Sequence, residues 1–389
     1  MVDHVRLTIV YTIVTFISLY MLFIGYFRLN FKFWSRQPVF HLHNIYYWIY
    51  YYFMISGIIT DKLPEDSPFF DNSIKVYNYL DFPAEKKGPF VDFIRNNFLP
   101  NKSEYFDPPT DYVLDTFEKH DGLVTISLKE YNDKILACMG MFPIHCKLDQ
   151  TKIKINYVDY LCVDKQHRKK KYAPNQIFTH LRHLQNMENN FVCFFKRENK
   201  SNAIIPFTTY YNYQFKIDNW QFCYKFDQPN MSIVFIDKTN LNKFHQIFQE
   251  SLSAFKYTFT PNLSHIFYLV EKQHIKIAAL MINQEFMGYY ILRNAHTTYN
   301  KTKSIQFTTS YKNENIDDNI FTLGFLITMS IVSKDWDSKI ILIENISNNN
   351  IILKLLLEKY IYLAKMKNSL YFYNYAIYPK KSEEILCII

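Results

Sequence analysis

The sequence predicts an α+β fold carried on a single N-terminal membrane-spanning helix. Two observations point there. An uncharged apolar run extends from Leu7 to Phe27. Beyond residue 60, runs rich in β-branched and aromatic residues twice give way to a helical pattern and then return to a strand. A chain of 389 residues is too long for one small core and suits two domains.

Taken in order, Leu7 to Phe27 at about 1.5 Å per residue spans about 30 Å, the thickness of a bilayer core. No small-residue cleavage site follows, so an anchor is expected rather than a cleaved signal. Arg28, Lys32 and Arg36 lie after the run against Arg6 before it, which predicts a single-pass protein whose large C-terminal part faces the cytosol. Ile45 to Ile59 is apolar but short and dense in Tyr and Trp, as suits a helix lying on the membrane or packed on the domain, with a second crossing as the alternative.

The first series of predicted elements comprises strands at Leu123–Leu128, Ile135–Pro143, Ile153–Val163 and near Phe191–Phe195, with a helix over 174–188. The second has strands at Ile233–Phe235, His265–Glu271, Ile275–Ile282, Met287–Ala295, Ser304–Tyr311, Lys339–Glu344 and Leu370–Tyr375, with a helix at Ile320–Ser333. Pro174 near the helix start and apolar Ile177, Phe178, Leu181 and Leu184 at helical spacing mark the helix of the first series. No Ser/Pro-rich linker divides the series, so the two halves should share an extensive interface.

Composition removes several function classes. Only 7 Gly are present, with no G-x-G-x-x-G, no Walker loop and no G-x-S-x-G elbow, which disfavours dinucleotide enzymes, P-loop enzymes and α/β-hydrolases. Cys138, Cys146, Cys162, Cys193, Cys223 and Cys387 form no C-x-x-C pair and are expected as free thiols in a reducing compartment. His41-x-His43 and His180-x-x-His183 are the tight histidine pairs, and with no completing ligand nearby they are expected as surface histidines; no metal is predicted. The net charge of +8 fits a polyanionic ligand, an anionic membrane or nucleic acid. The cations concentrate at one turn and no RNA-binding motif appears, so no nucleic acid partner is expected.

That turn is the most informative feature. Lys165, Arg168, Lys169, Lys170 and Lys171 lie between the strand Ile153–Val163 and the helix that follows. Cations at a strand-to-helix corner, where backbone N–H groups also point outward, form a pocket for phosphate. The alternative is a solvated basic loop.

Arg168-x-x-Lys171-x-Ala173 is similar to the pyrophosphate loop of acetyltransferase-like folds, with Lys in place of a Gly. Tyr160-Leu161-Cys162-Val163 followed by Arg168-Lys169-Lys170-Lys171-Tyr172-Ala173-Pro174 resembles one branch, the glycylpeptide N-tetradecanoyltransferase (N-myristoyltransferase) family. Phe33-Trp34-Ser35-Arg36-Gln37-Pro38-Val39 is similar to the Phe-Trp-x-x-Gln-Pro-Val that opens that family's catalytic domain, and the resemblance runs over about residues 31–389.

The resemblance implies two fused acetyltransferase-like (GNAT) units with mixed sheets flanked by helices: 31–225 binding acyl-CoA and 226–389 completing a peptide groove, after the anchor at 1–30. It implies transfer of a myristoyl group from myristoyl-CoA, a co-substrate with no prosthetic group beside it, to proteins with an N-terminal glycine. The amides of Tyr160 and Leu161 would form the oxyanion hole, with Cys162 and Val163 continuing its wall. The C-terminal carboxylate of Ile389 would act as base, and Asp159, where the family has Asn, would hold or orient the substrate ammonium. Lys32, Phe33 and Trp34 would cover the acyl-CoA, with the loop Arg168 to Pro174 on its phosphates. Tyr105, Phe106 and Tyr211 would line the peptide groove. The family's hydroxyl-bearing turn is Phe194-Phe195-Lys196-Arg197 here and its Tyr-Trp-His is Tyr211-Asn212-Tyr213, so a weakened or inactive acyl-CoA-binding membrane scaffold, or a relative with another donor or acceptor, is the alternative.

Overall fold

The computed structural model describes residues 2–53, 55–99, 104–188, 191–198, 204–222 and 225–389. Cys223 and Met54 lie outside the described residues. A 15-stranded mixed sheet dominates the chain and helices cover its faces.

The sheet is shared by the two halves of the sequence. Ala364–Tyr373 lies between Cys193–Glu198 and Thr208–Lys216, antiparallel to both. Tyr257–Thr260 pairs with Lys134–Leu148, and Glu104–Phe106 pairs with Glu285–Tyr299. One apolar core therefore draws on both halves: the Phe194 and Phe259 rings stack with centroids 4.1 Å apart, and Phe372 packs against both.

Glycine scarcity leaves a mark on the hairpins. Asn132-Asp133, Asn283-Gln284 and Asn300-Lys301 each join two adjacent antiparallel strands with both residues at positive φ, between 48° and 69°. That is the twist a two-residue hairpin requires, and Asn and Asp are the residues after Gly that adopt it most readily. No glycine of this chain has positive φ.

His265–Glu271, read from its apolar and aromatic content as a strand, is instead part of a helix, Leu263–Glu271. The buried residues are His265, Ile266, Leu269 and Val270, a four-residue repeat that marks a helix face and overrides β-propensity. The strand Thr208–Lys216 and the helices Ala84–Asn97, Leu241–Ala254 and Asn349–Lys359 lie outside every predicted element.

Three of the four paired histidines are buried, and His183 is partly so. His41 and His43 are buried, and His180 is fully so. Nε2 of His180 meets Oγ1 of Thr125 at 2.7 Å and Nδ1 meets Oγ of Ser127 at 2.7 Å, so the ring ties helix Tyr172–Met187 to strand Thr125–Tyr131. Burial with both nitrogens partnered by hydroxyls is the structural use of a histidine.

At the N-terminus, helix Val2–Asn30 stands with most of its apolar side chains from Val5 to Leu29 exposed, while Phe27 is buried against His43. Helix Ile45–Tyr52 folds back beside it: the Tyr20 hydroxyl donates to the His43 carbonyl and accepts from the Ile45 amide, both at 3.3 Å. The remaining outward aromatic and aliphatic groups of this short helix include Tyr46, Ile49 and Tyr52.

Candidate active site

The strand Thr151–Val163 is distorted on both edges at one point. On one side it runs parallel to Cys193–Glu198 only at Asn156/Cys193 and Tyr157/Phe194, after which the two strands part. On the other, its pairing slips between Cys138/Cys162 and Gly140/Asp159, leaving Tyr160 and Leu161 together opposite Met139. Such a bulge re-aims side chains. Tyr160 adopts φ 49°, a conformation that strains a bulky residue and is held here by its surroundings. Its ring is buried, and its hydroxyl lies 3.3 Å from Oγ1 of Thr116. Its amide donates to Oδ1 of Asp159 at 2.7 Å.

The cationic corner follows directly. Asp164 caps the turn Lys165–His167 by accepting from the Gln166 amide at 2.9 Å and facing Nδ1 of His167 at 2.8 Å. Lys169 and Lys171 both have left-handed φ, 66° and 67°, and Lys171 is the N-cap of helix Tyr172–Met187. Lys171 thus takes the backbone shape of the Gly it replaces in the pyrophosphate-loop pattern. The side chains of Lys169, Lys170 and Lys171 are exposed, while Tyr172, Ala173 and Pro174 form the partly buried first turn. Arg168 is used differently: its guanidinium donates to the Asn97 carbonyl at 2.6 Å, bracing the corner against helix Ala84–Asn97.

Leu161 packs on the opposite face from Asp159, in an apolar cluster with Phe33, Met139, Met141, Phe178 and Tyr371. Phe33 is buried edge-on to Trp34 and Phe69, Trp34 stacks on Phe195 at 5.8 Å, and Lys32 is exposed. The Phe33-to-Val39 motif is anchored through Gln37, whose Oε1 accepts from the Tyr373 hydroxyl at 2.9 Å. Cys162 is buried on the Tyr160 side of the strand and Val163 is partly buried.

On the face of Asp159, a narrow cleft with about 30 Å³ of free space is lined by Asp159, Thr116, His265, His274, Arg293 and Ile389. The chain's end reaches it because Ile385–Cys387 pairs in parallel with Tyr257–Thr260 and the Ile388 amide donates to Phe259 at 2.9 Å. Burial pushes the Asp159 carboxyl up, opposed by the Tyr160 amide and the charges of Arg293 and Lys196. Burial and the neighbouring His120 lower His265 to about 3, so that ring is neutral and its Nδ1 bonds the Glu118 carbonyl at 2.6 Å.

Tyr105 and Phe106 share the short strand Glu104–Phe106, but Phe106 is buried against Tyr112 and Phe98, so only Tyr105 presents surface. Tyr211 is partly exposed with Nζ of Lys365 4.1 Å above its ring. The structure thus gathers Asp159 and Ile389 in one cleft, with the Tyr160–Leu161 bulge next in the strand, Leu161 turned to the opposite face, and the cationic loop at the following corner. It keeps Tyr211 on a separate strand, Thr208–Lys216.

Sequence reasoning missed Arg293, His265 and His274, all from the second half, and Asp115 behind them. It also missed the buried set beside them, in which Glu344 binds Nζ of Lys196 at 2.7 Å and the Tyr210 hydroxyl at 2.5 Å. Arg293 and Glu344 lie in strands, where a charge amid apolar neighbours is the available signal. Among the described residues no cluster of three or more His, Cys, Asp or Glu could hold a metal.

No family model matches the sequence, and no curated protein matches it by sequence. Solved structures do match in fold. Saccharomyces cerevisiae N-myristoyltransferase with bound myristoyl-CoA superposes with a TM-score of 0.72 at 12% identity, over 91% of this chain and 94% of that one. The same yeast enzyme with bound myristoyl-CoA and inhibitors gives 0.71 at 13% identity, over 93% and 95%. The chain has the fold of the N-myristoyltransferases.

Proposed function

We propose that this chain is a membrane-anchored acyltransferase that moves a myristoyl group from myristoyl-CoA to the N-terminal glycine of protein substrates. The observation that carries the reading is the bulge at Asp159-Tyr160-Leu161. It stands between an exposed lysine corner suited to the CoA phosphates and a cleft containing the chain's own last residue. In this reading residues 31–225 and 226–389 are two acetyltransferase-like units, the first gripping acyl-CoA and the second completing the peptide groove. Lys32, Phe33 and Trp34 cover the acyl-CoA, and the loop from Lys169 to Pro174, braced by Arg168, meets its phosphates. Tyr105 and Tyr211 offer exposed rings to the peptide groove, and Phe106 packs behind Tyr105.

Acyl transfer to an amine needs an oxyanion site and a proton acceptor. The Tyr160 and Leu161 amides, at the point where the strands part, serve the first, and the Ile389 carboxylate serves the second. Asp159 orients the substrate ammonium. The apolar helix Val2–Asn30 crosses the membrane, and helix Ile45–Tyr52 rests at its surface, keeping the acyl site near partitioned acyl-CoA on the cytosolic side. Full-length protein in detergent, given labelled myristoyl-CoA and a glycine-initiated peptide, is expected to label the peptide and not its N-acetylated form.

A second reading is favoured by one observation: the Tyr160 amide is already engaged by Asp159. A scaffold that binds myristoyl-CoA without turnover would tolerate this. Amidating the C-terminus separates the two, because only an enzyme loses turnover while acyl-CoA binding persists.

A further inference from the structure

The cleft at Ile389 contains a histidine prepared as a proton acceptor. Nε2 of His274 faces Oδ2 of Asp115 at 2.8 Å, and Oδ1 of the same carboxylate accepts from the Tyr268 hydroxyl at 2.5 Å. Asp115 and His274 are both buried, so this carboxylate is held by fixed partners and not by water. A carboxylate on Nε2 keeps the proton there and leaves Nδ1 with its lone pair. Among the described residues Nδ1 has no hydrogen-bond partner, and His274 lines the cleft with Asp159, Arg293 and Ile389.

His274 is packed among aromatic and charged neighbours. The Tyr112 ring stands edge-on to His274 with centroids 4.9 Å apart and also touches His296. Arg293 lies on the neighbouring strand, opposite Ile275. The charged and titratable groups around His274 are therefore Asp115, Tyr112, Tyr268, His265, His296, Arg293, Asp159 and the terminal carboxylate. Helix Thr110–Asp115 connects this pair to the bulge, since Thr116 at its end touches the Tyr160 hydroxyl.

We propose that His274, oriented by Asp115, is a catalytic proton acceptor for the substrate amine, acting beside the Ile389 carboxylate. The inference rests on the acyl-transfer reading above. The substrate ammonium gives one proton to Nδ1 of His274, and the neutral nitrogen forms the C–N bond to the thioester carbon. As the tetrahedral adduct collapses, the C–S bond breaks, and the Ile389 carboxylate takes the second nitrogen proton and passes it to the thiolate, which leaves as CoA-SH. His274 then releases its proton to water, so the step needs no other reactant.

The test is single-turnover transfer by the full chain across a pH series, with a glycine-initiated peptide and with the same peptide begun by an aminooxyacetyl group, whose nitrogen is unprotonated at neutral pH. His274→Gln is expected to slow the glycyl reaction by about 100-fold or more and to remove the histidine limb of the pH profile. The aminooxy reaction should slow far less. Asp115→Asn, which retains His274, should slow the glycyl reaction in the same sense. Myristoyl-CoA binding measured on each variant reports that it is folded. Equal slowing of both nucleophiles, or an unchanged pH profile in His274→Gln, would make the pair a structural tie and overturn the inference. No transfer by the unmodified protein would overturn the acyl-transfer reading itself, and the inference with it.

Discussion

The Tyr373 hydroxyl donates to Oε1 of Gln37 at 2.9 Å, joining the Phe33-to-Val39 motif to the strand Ala364–Tyr373. Both residues are buried, and next to them the Asn374 amide donates to the Pro38 carbonyl at 2.6 Å. Tyr373→Phe deletes the donor and strands a buried amide oxygen, which costs about 1–3 kcal/mol. The expected result is a lower denaturant midpoint with earlier proteolytic cleavage near residues 31–40; an unchanged midpoint would show that the contact contributes nothing to stability.

Gly140 sits opposite Asp159, and a Cβ there would lie 2.5 Å from the Phe117 ring. That ring is buried against Phe142 and Tyr160 and has no room to retreat. Gly140→Ala should therefore destabilise by about 1–3 kcal/mol through overpacking, read by chemical denaturation. It should also disturb the bulge, so acyl transfer is expected to fall more than the stability loss alone explains.

Burial lowers His180 from 6.5 to about 3, helped by His183. Below pH 6.5 the unfolded chain takes up a proton that the folded chain refuses until about pH 3. The stability from the neutral ring is thus fully present above 6.5 and is lost as pH falls toward 3, at about 1.4 kcal/mol per pH unit for each such group. His265, lowered to about 3, and His41 and His296, each lowered to about 4, act in the same direction. His180→Gln should flatten the acid slope by one proton and cost about 1–3 kcal/mol at neutral pH, since the flexible amide does not hold its two polar atoms against Thr125 and Ser127 in the fixed geometry of the buried ring.

Lys169 and Lys171 combine left-handed backbone with exposed side chains. Reversing both to Glu should raise the KM for acyl-CoA by about tenfold or more and weaken its dependence on ionic strength. Lys171→Gly should leave stability equal or higher, because Gly adopts φ 67° without steric cost, while losing one cation's share of acyl-CoA affinity. Acyl-CoA titrations at two salt concentrations check both.

Local pattern determined much of this protein. Alternating runs marked Ile275–Ile282 to the residue, the periodicity of Ile177, Phe178, Leu181 and Leu184 marked the helix after the cationic corner, and the apolar run from Leu7 marked the first helix. These features depend on neighbours within a few positions, so the order of residues encodes them. Tertiary structure alone decided that Ala364–Tyr373 enters between two strands of the first half, that His265 lies on a helix, and that Arg293 and His274 join Asp159 and Ile389 in one cleft. The physical reason is that pairing partners and buried charges are selected by contact across the sheet, between residues hundreds of positions apart, and no periodicity within a single segment records which partner that will be.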